Sequence, residues 1–182
     1  MNIPNILTSV RIVLIPCILV VYYLPYSWSL YAAAAIFALA AITDWFDGYL
    51  ARRLNQSTAF GAFLDPVADK LMVSVALVML VETYADPYLT IPAVIIIGRE
   101  IVISALREWM AELGKRASVA VSVIGKLKTL LQMLAIFLLL GAEQGTGAGV
   151  AGLVTLYAAA VLTIWSMWMY LRAAWPDLIA DL

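Results

Sequence analysis

Histidine is absent from the chain, and cysteine occurs once, as Cys17 inside the first apolar run. Without histidine there is no Ser-His or Cys-His nucleophile pair, no imidazole metal ligand and no imidazole pH switch. A single cysteine excludes an internal disulfide and a cysteine-cluster metal site within one chain, so Cys17 reads as a small hydrophobe. Charge is also scarce: 13% of residues are charged against 65% hydrophobic, and the net charge of −1 implies no partner. There is no basic face of the kind nucleic acid requires, so no nucleic-acid partner is expected. Any chemistry falls to carboxylates, lysines and arginines.

Apolar sequence is what the chain has in abundance. A mean hydropathy of +0.98 and repeated apolar runs of about 20 residues describe a polytopic helical membrane protein. The expected fold is all-α: one integral-membrane helical bundle over residues 1–182 with six transmembrane helices, at 5–24, 30–52, 63–82, 88–111, 119–140 and 149–171. Helices are required because lipid offers the backbone no other partner. No lysine or arginine precedes the first run within residues 1–10 and no small-residue cleavage pattern follows it, so a removable signal peptide is not expected and the N-terminus is taken as mature.

Turn signals at Pro25, at Asp86 with Pro87, and across 141–149 fall on one side of the bundle; those at 52–61 and 114–118 fall on the other. The Gly145 and Gly149 pair lies at a loop edge, where a turn explains it better than helix pairing. Arg52, Arg53, Lys115, Arg116 and Arg172 all sit at one set of helix ends, whereas loops 24–29, 83–88 and 141–148 carry no lysine or arginine. The positive-inside rule therefore predicts that the basic ends, and both termini, face the cytoplasm.

Against this apolar background stand four aspartates. Asp44 and Asp47 are three apart, Asp65 and Asp69 four apart, so each pair projects from one face of its helix. The short connection between the second and third helices predicts antiparallel neighbours whose carboxylates converge at one depth. Converging carboxylates repel unless cations neutralise them. An oxygen-only ligand set without histidine or cysteine selects hard ions, so Mg²⁺ is expected, with Mn²⁺ as the alternative, and four acids suffice for two ions. Paired ions suit phosphoryl displacement. Gly48 and Gly61 leave bare backbone beside the acids, Ala51 adds only a methyl group, and Arg52 offers a fork to a phosphate. The bland alternative is that the acids pair with Arg52, Arg53 and Lys70 at the interface. Ionisable groups facing a bundle interior are rare and usually functional, which favours the metal reading.

The run Asp44-x-x-Asp47-Gly48-x-x-Ala51-Arg52, then eight residues, then Gly61-x-x-x-Asp65-x-x-x-Asp69 resembles the signature of the CDP-alcohol phosphotransferase family at every fixed position. The likeness extends from NIPNILTSVRI through REIVISALREWMAELGKR to the sixth span, and is nearest to the bacterial branch that uses sn-glycerol 3-phosphate. The resemblance implies transfer of a phosphatidyl group from CDP-diacylglycerol to the primary hydroxyl of that acceptor, giving phosphatidylglycerophosphate and CMP, the committed step toward phosphatidylglycerol and cardiolipin. It implies that Asp44, Asp47, Asp65 and Asp69 hold the metals, with Asp69 also taking the hydroxyl proton. It places Gly48, Ala51 and Gly61 along the cytidine site, Arg52 and Thr58 on the nucleotide, and Asn5 and Thr8 beside it. It also implies a multi-pass protein of the bacterial cytoplasmic (inner) membrane, surrounded by membrane lipids, with its active site toward the cytoplasm, and a homodimer.

A phosphorylated acceptor needs cations inside the bundle, and the fourth and fifth helices supply Arg99, Arg107, Lys126 and Lys128. Arg107 and Lys126 lie nearest the basic end and are the first choice for the phosphate, with Lys128 and Arg99 behind. Arg99 can instead pair with Glu100, and Lys126 and Lys128 can instead snorkel to anionic headgroups. Arg11 is divided in the same way between the site and the interface. Glu108 and Glu112 read as a solvated helix end, the six tryptophans largely as an interfacial belt, and Met72, Met79, Met110 and Met133 as helix-packing filler. Other acceptors (inositol phosphate, serine, phosphatidylglycerol) are alternatives within the family. A cation or proton transporter is the alternative of another class, disfavoured because the acids gather at one end and no repeat is apparent.

Overall fold

The computed structural model describes residues 3–54, 59–114 and 123–180. The described residues form six helices: α1 (Ile3–Tyr22), α2 (Ser29–Leu54), α3 (Ala59–Tyr84), α4 (Pro87–Glu112), α5 (Val123–Gly141) and α6 (Gly147–Ala180). No strand occurs among the described residues. A helix of 26 residues, such as α2, α3 or α4, is about 39 Å long, enough to cross a bilayer with a turn to spare. Pro87–Glu112 and Gly147–Pro176 satisfy both the length and the hydropathy needed for a span, while Ile6–Tyr22 and Ser29–Asp44 are shorter apolar stretches.

The helix ends have identifiable causes. Asp86 caps α4: its carboxylate accepts from the Tyr88 backbone N–H at 2.9 Å, and Pro87 occupies the first turn, where a missing N–H costs nothing. Gly145 turns the chain between α5 and α6 with φ +78, a conformation that side chains disfavour. The sixth helix outruns its predicted span, because beyond Arg172 its register still offers Ala174 and Leu178 to α4. There they join Ile103, Leu106, Met110 and Tyr170 in a small apolar cluster.

The main core draws on all six helices, with Phe37, Met72, Leu77, Leu80, Ile96, Ile136, Leu140 and Leu156 almost wholly enclosed. Small residues allow close approach. A Cβ on Gly152 would lie 2.8 Å from Leu139 Cγ, so α6 rides directly on α5 at this glycine. Outward faces carry Val13, Leu39, Val78, Val94, Ile101, Val154, Trp165 and Trp168, each more than half exposed. Acyl chains solvate such a surface and water does not.

Among the described residues the second and third helices touch little, whereas α1 packs against both. A short connection guarantees nearness at the turn only; further along, α1 wedges between the two helices that carry the aspartates.

Candidate active site

The charged residues of the interior gather at one end of the bundle. Thr8 and Arg11 fall in the first half of α1, Asp44 in the second half of α2, Asp65 and Asp69 in the first half of α3, Arg99 at the midpoint of α4 with Glu100 and Arg107 beyond it, and Lys128 in the first half of α5. Asp44 is ten residues before the end of α2 and Asp69 ten after the start of α3. Both are therefore sunk about 15 Å along their helices from the shared connection.

Here a cavity of about 300 Å³ is lined by Asp44, Asp65, Asp69, Lys70, Glu100, Arg107, Lys128, Thr129 and Gln132, with Pro66, Val73 and Met133 as its apolar wall. Its two sides differ in sign. On the acidic side, Thr8 Oγ1 donates to Asp65 Oδ1 at 2.5 Å. Arg11 Nη1 stands 2.8 Å from Asp44 Oδ1 and 2.5 Å from Asp69 Oδ1. Arg11 is fully buried, while the two carboxylates remain about a third exposed, at 35% and 38%, toward the cavity. On the basic side, Lys128 donates to Glu100, and Arg99 Nη1 donates to the same carboxylate oxygen at 2.9 Å. Arg99 also reaches Ser166 at 3.4 Å. The Arg99 and Arg107 guanidinium groups lie 5.6 and 5.5 Å from the ring centre of Tyr170, so one aromatic ring from α6 steadies both. Lys70 donates to Ser104, whose hydroxyl in turn donates to the Glu100 carbonyl at 2.7 Å.

The expected site residues are distributed as follows. Asp44, Asp65, Asp69, Arg107 and Lys128 meet in the cavity, and Thr8 reaches it through Asp65. Gly61 is buried in the first turns of α3. Arg99 lies behind the lining, tied to Glu100, and Lys126 is exposed and outside the lining. Thr58 lies outside the described residues, and so do the side chains of Asn5, Asp47, Ala51 and Arg52 and the surroundings of Gly48. Arg11 and Glu100 emerge as central ion-pair partners that sequence reasoning did not assign to the site. The only signal for Arg11 was a cation in an apolar run; for Glu100 it was an acid seven residues from Arg107 on one face.

The donor set suits a hard metal ion. Three described acids supply oxygen and nothing softer, and a guanidinium already shows that positive charge is accommodated between Asp44 and Asp69. Among the described residues no three acids gather tightly enough to hold one ion by themselves.

A family model for CDP-alcohol phosphatidyltransferases matches residues 1–165. Relatives from Escherichia coli (strain K12), Shigella sonnei (strain Ss046) and Shigella flexneri serotype 5b (strain 8401) are each 58% identical over 178 residues, covering 98% of this chain and 97% of the relative. Each of the three bears the name CDP-diacylglycerol–glycerol-3-phosphate 3-phosphatidyltransferase.

Proposed function

The chain belongs to the CDP-alcohol phosphatidyltransferase family, and from that premise we propose that it transfers the phosphatidyl group of CDP-diacylglycerol to sn-glycerol 3-phosphate with release of CMP. The observation that carries this reading is the division of one cavity into an acidic wall, Asp44, Asp65 and Asp69, and a basic wall, Lys70, Arg107 and Lys128. A diphosphate bound through cations fits the first, and a phosphorylated acceptor fits the second.

Asp44, Asp47, Asp65 and Asp69 would hold two Mg²⁺ ions, with Mn²⁺ as the alternative. Bound there, the ions supply neutralisation of the diphosphate and of the departing CMP. The remaining work belongs to the side chains. Asp69 accepts the proton of the acceptor hydroxyl as its oxygen forms the new bond to phosphorus and the bond to CMP breaks. Thr8 fixes the orientation of Asp65, and Arg107 and Lys128 hold the acceptor phosphate, with Arg99 behind them. Gly48, Ala51 and Gly61 leave room for the cytidine, with Asn5, Arg52 and Thr58 as further nucleotide contacts.

The whole chain acts as one catalytic unit in the bacterial cytoplasmic membrane, as a homodimer. Its cavity and termini face the cytoplasm, as the basic residues at that end of the bundle support. The test is direct: purified protein with CDP-diacylglycerol and sn-glycerol 3-phosphate yields CMP and phosphatidylglycerophosphate. Product with serine or inositol phosphate, but none with sn-glycerol 3-phosphate, would overturn the acceptor assignment.

A further inference from the structure

Two buried cations converge on a single oxygen of Glu100: Arg99, 8% exposed, and Lys128, 3% exposed. The Glu100 to Lys128 pair joins α4 to α5, yet these two helices share no extensive interface; each packs mainly against α6, and α5 also against α2. The pair therefore spans the cavity and is not part of a packed seam, and both its members line the open volume. The two cations differ in their freedom. Arg99 is also held by Ser166 and by the face of Tyr170, whereas an ammonium on a four-carbon stem can swing to a new anion.

Resting on the acceptor assignment above, we propose that Glu100 is an internal counter-anion that occupies Lys128 until the acceptor phosphate takes its place. A buried ammonium without a counter-ion is costly, so the empty site requires the carboxylate. An incoming group with one negative charge merely replaces one anion by another. A phosphate carrying about two charges gains from the exchange. Glu100 thus selects acceptors by charge, in addition to any selection by shape, and keeps stray monoanions off the basic wall.

The experiment compares wild type with Glu100→Gln, which retains the size and hydrogen-bonding capacity of the side chain but not its charge. The KM for sn-glycerol 3-phosphate falls roughly threefold to tenfold, as for release of a half-buried charge pair. The shift falls on KM more than on kcat. The inhibition constant of inorganic sulfate, competing with the acceptor, falls in parallel. Glu100→Asp, one methylene shorter, shifts both constants the same way by less and carries the test if the glutamine variant does not fold. A KM at or above the wild-type value in the folded variants overturns the exchange. Absence of CMP release from the wild-type protein with this acceptor overturns instead the functional reading on which the exchange rests.

Discussion

Arg11 donates to Asp69 from a nitrogen that also lies 2.8 Å from Asp44, so one guanidinium from α1 ties together the acids of α2 and α3. Two carboxylates that would repel each other are held by a cation that belongs to neither of their helices. With few direct contacts between α2 and α3, this linkage sets the relative position of the acids in the cavity.

Replacing Arg11 with alanine removes the guanidinium that lies between the Asp44 and Asp69 carboxylates. The cost is about 1–2 kcal/mol, less than for a fully buried pair because the acids are partly solvated. The expected result is a lower thermal midpoint in detergent with chelator present, and partial recovery in millimolar Mg²⁺. A midpoint equal to wild type under both conditions would show that Arg11 does not brace the acids.

Asp69→Asn removes the proposed proton acceptor and one ligand charge while preserving shape. Turnover drops by about two to four orders of magnitude, while binding of CDP-diacylglycerol remains measurable by equilibrium titration. Near-normal turnover in saturating Mg²⁺ would remove Asp69 from the role of base.

Chelation acts on the same wall without any substitution. Excess EDTA stops CMP release, and added Mg²⁺ restores it, since the acidic wall cannot hold a diphosphate unless cations intervene. Undiminished release in chelator would rule out the metal assignment.

Arg107 and Lys126 separate structure from sequence as guides to the acceptor. Arg107 lines the cavity beside Tyr170, whereas Lys126 is exposed and outside the lining. Arg107→Ala should raise the acceptor KM by about tenfold or more, the loss of a charge-assisted contact. Lys126→Ala should change it by about twofold at most, as for an exposed charge. Initial rates over a range of acceptor concentrations decide between them, and the reverse order would place the phosphate at the mouth of the cavity.

Gly152→Val probes the fold and leaves the chemistry alone. Its new Cβ would sit 2.8 Å from Leu139 Cγ, so α5 and α6 must part, at a cost of about 1–3 kcal/mol. A thermal midpoint unchanged from wild type would mean that the contact relaxes freely.

Much of this architecture was legible in the chain itself. Apolar runs fixed the number of helices, and Asp86 with Pro87 and Gly145 marked turns where the backbone has little choice. The spacing of Asp44, Asp65 and Asp69 placed them on inward faces, as the cavity lining bears out. Lateral order was not legible, because a short loop reveals which helix follows in the chain but not which one wedges beside it. For the same reason Arg11 could not be assigned: only its contacts across 33 and 58 positions in the chain, to Asp44 and Asp69, distinguish a site residue from one snorkelling to the headgroups. Lys128 and Arg99 were legible as cations but not as partners of Glu100, since that pairing depends on how α5 faces α4 across open space.

The order of elements along the chain also bears on biogenesis. Arg11, Asp44 and Asp69 all lie within the first three helices, whereas Glu100, Arg107 and Lys128 belong to the fourth and fifth. During synthesis, the acidic half of the pocket can therefore close around its own guanidinium before Arg107 and Lys128 have left the ribosome. A nascent chain stalled after the third span already holds a guanidinium between Asp44 and Asp69, so this carboxylate pair does not meet the lipid without a cation while it waits.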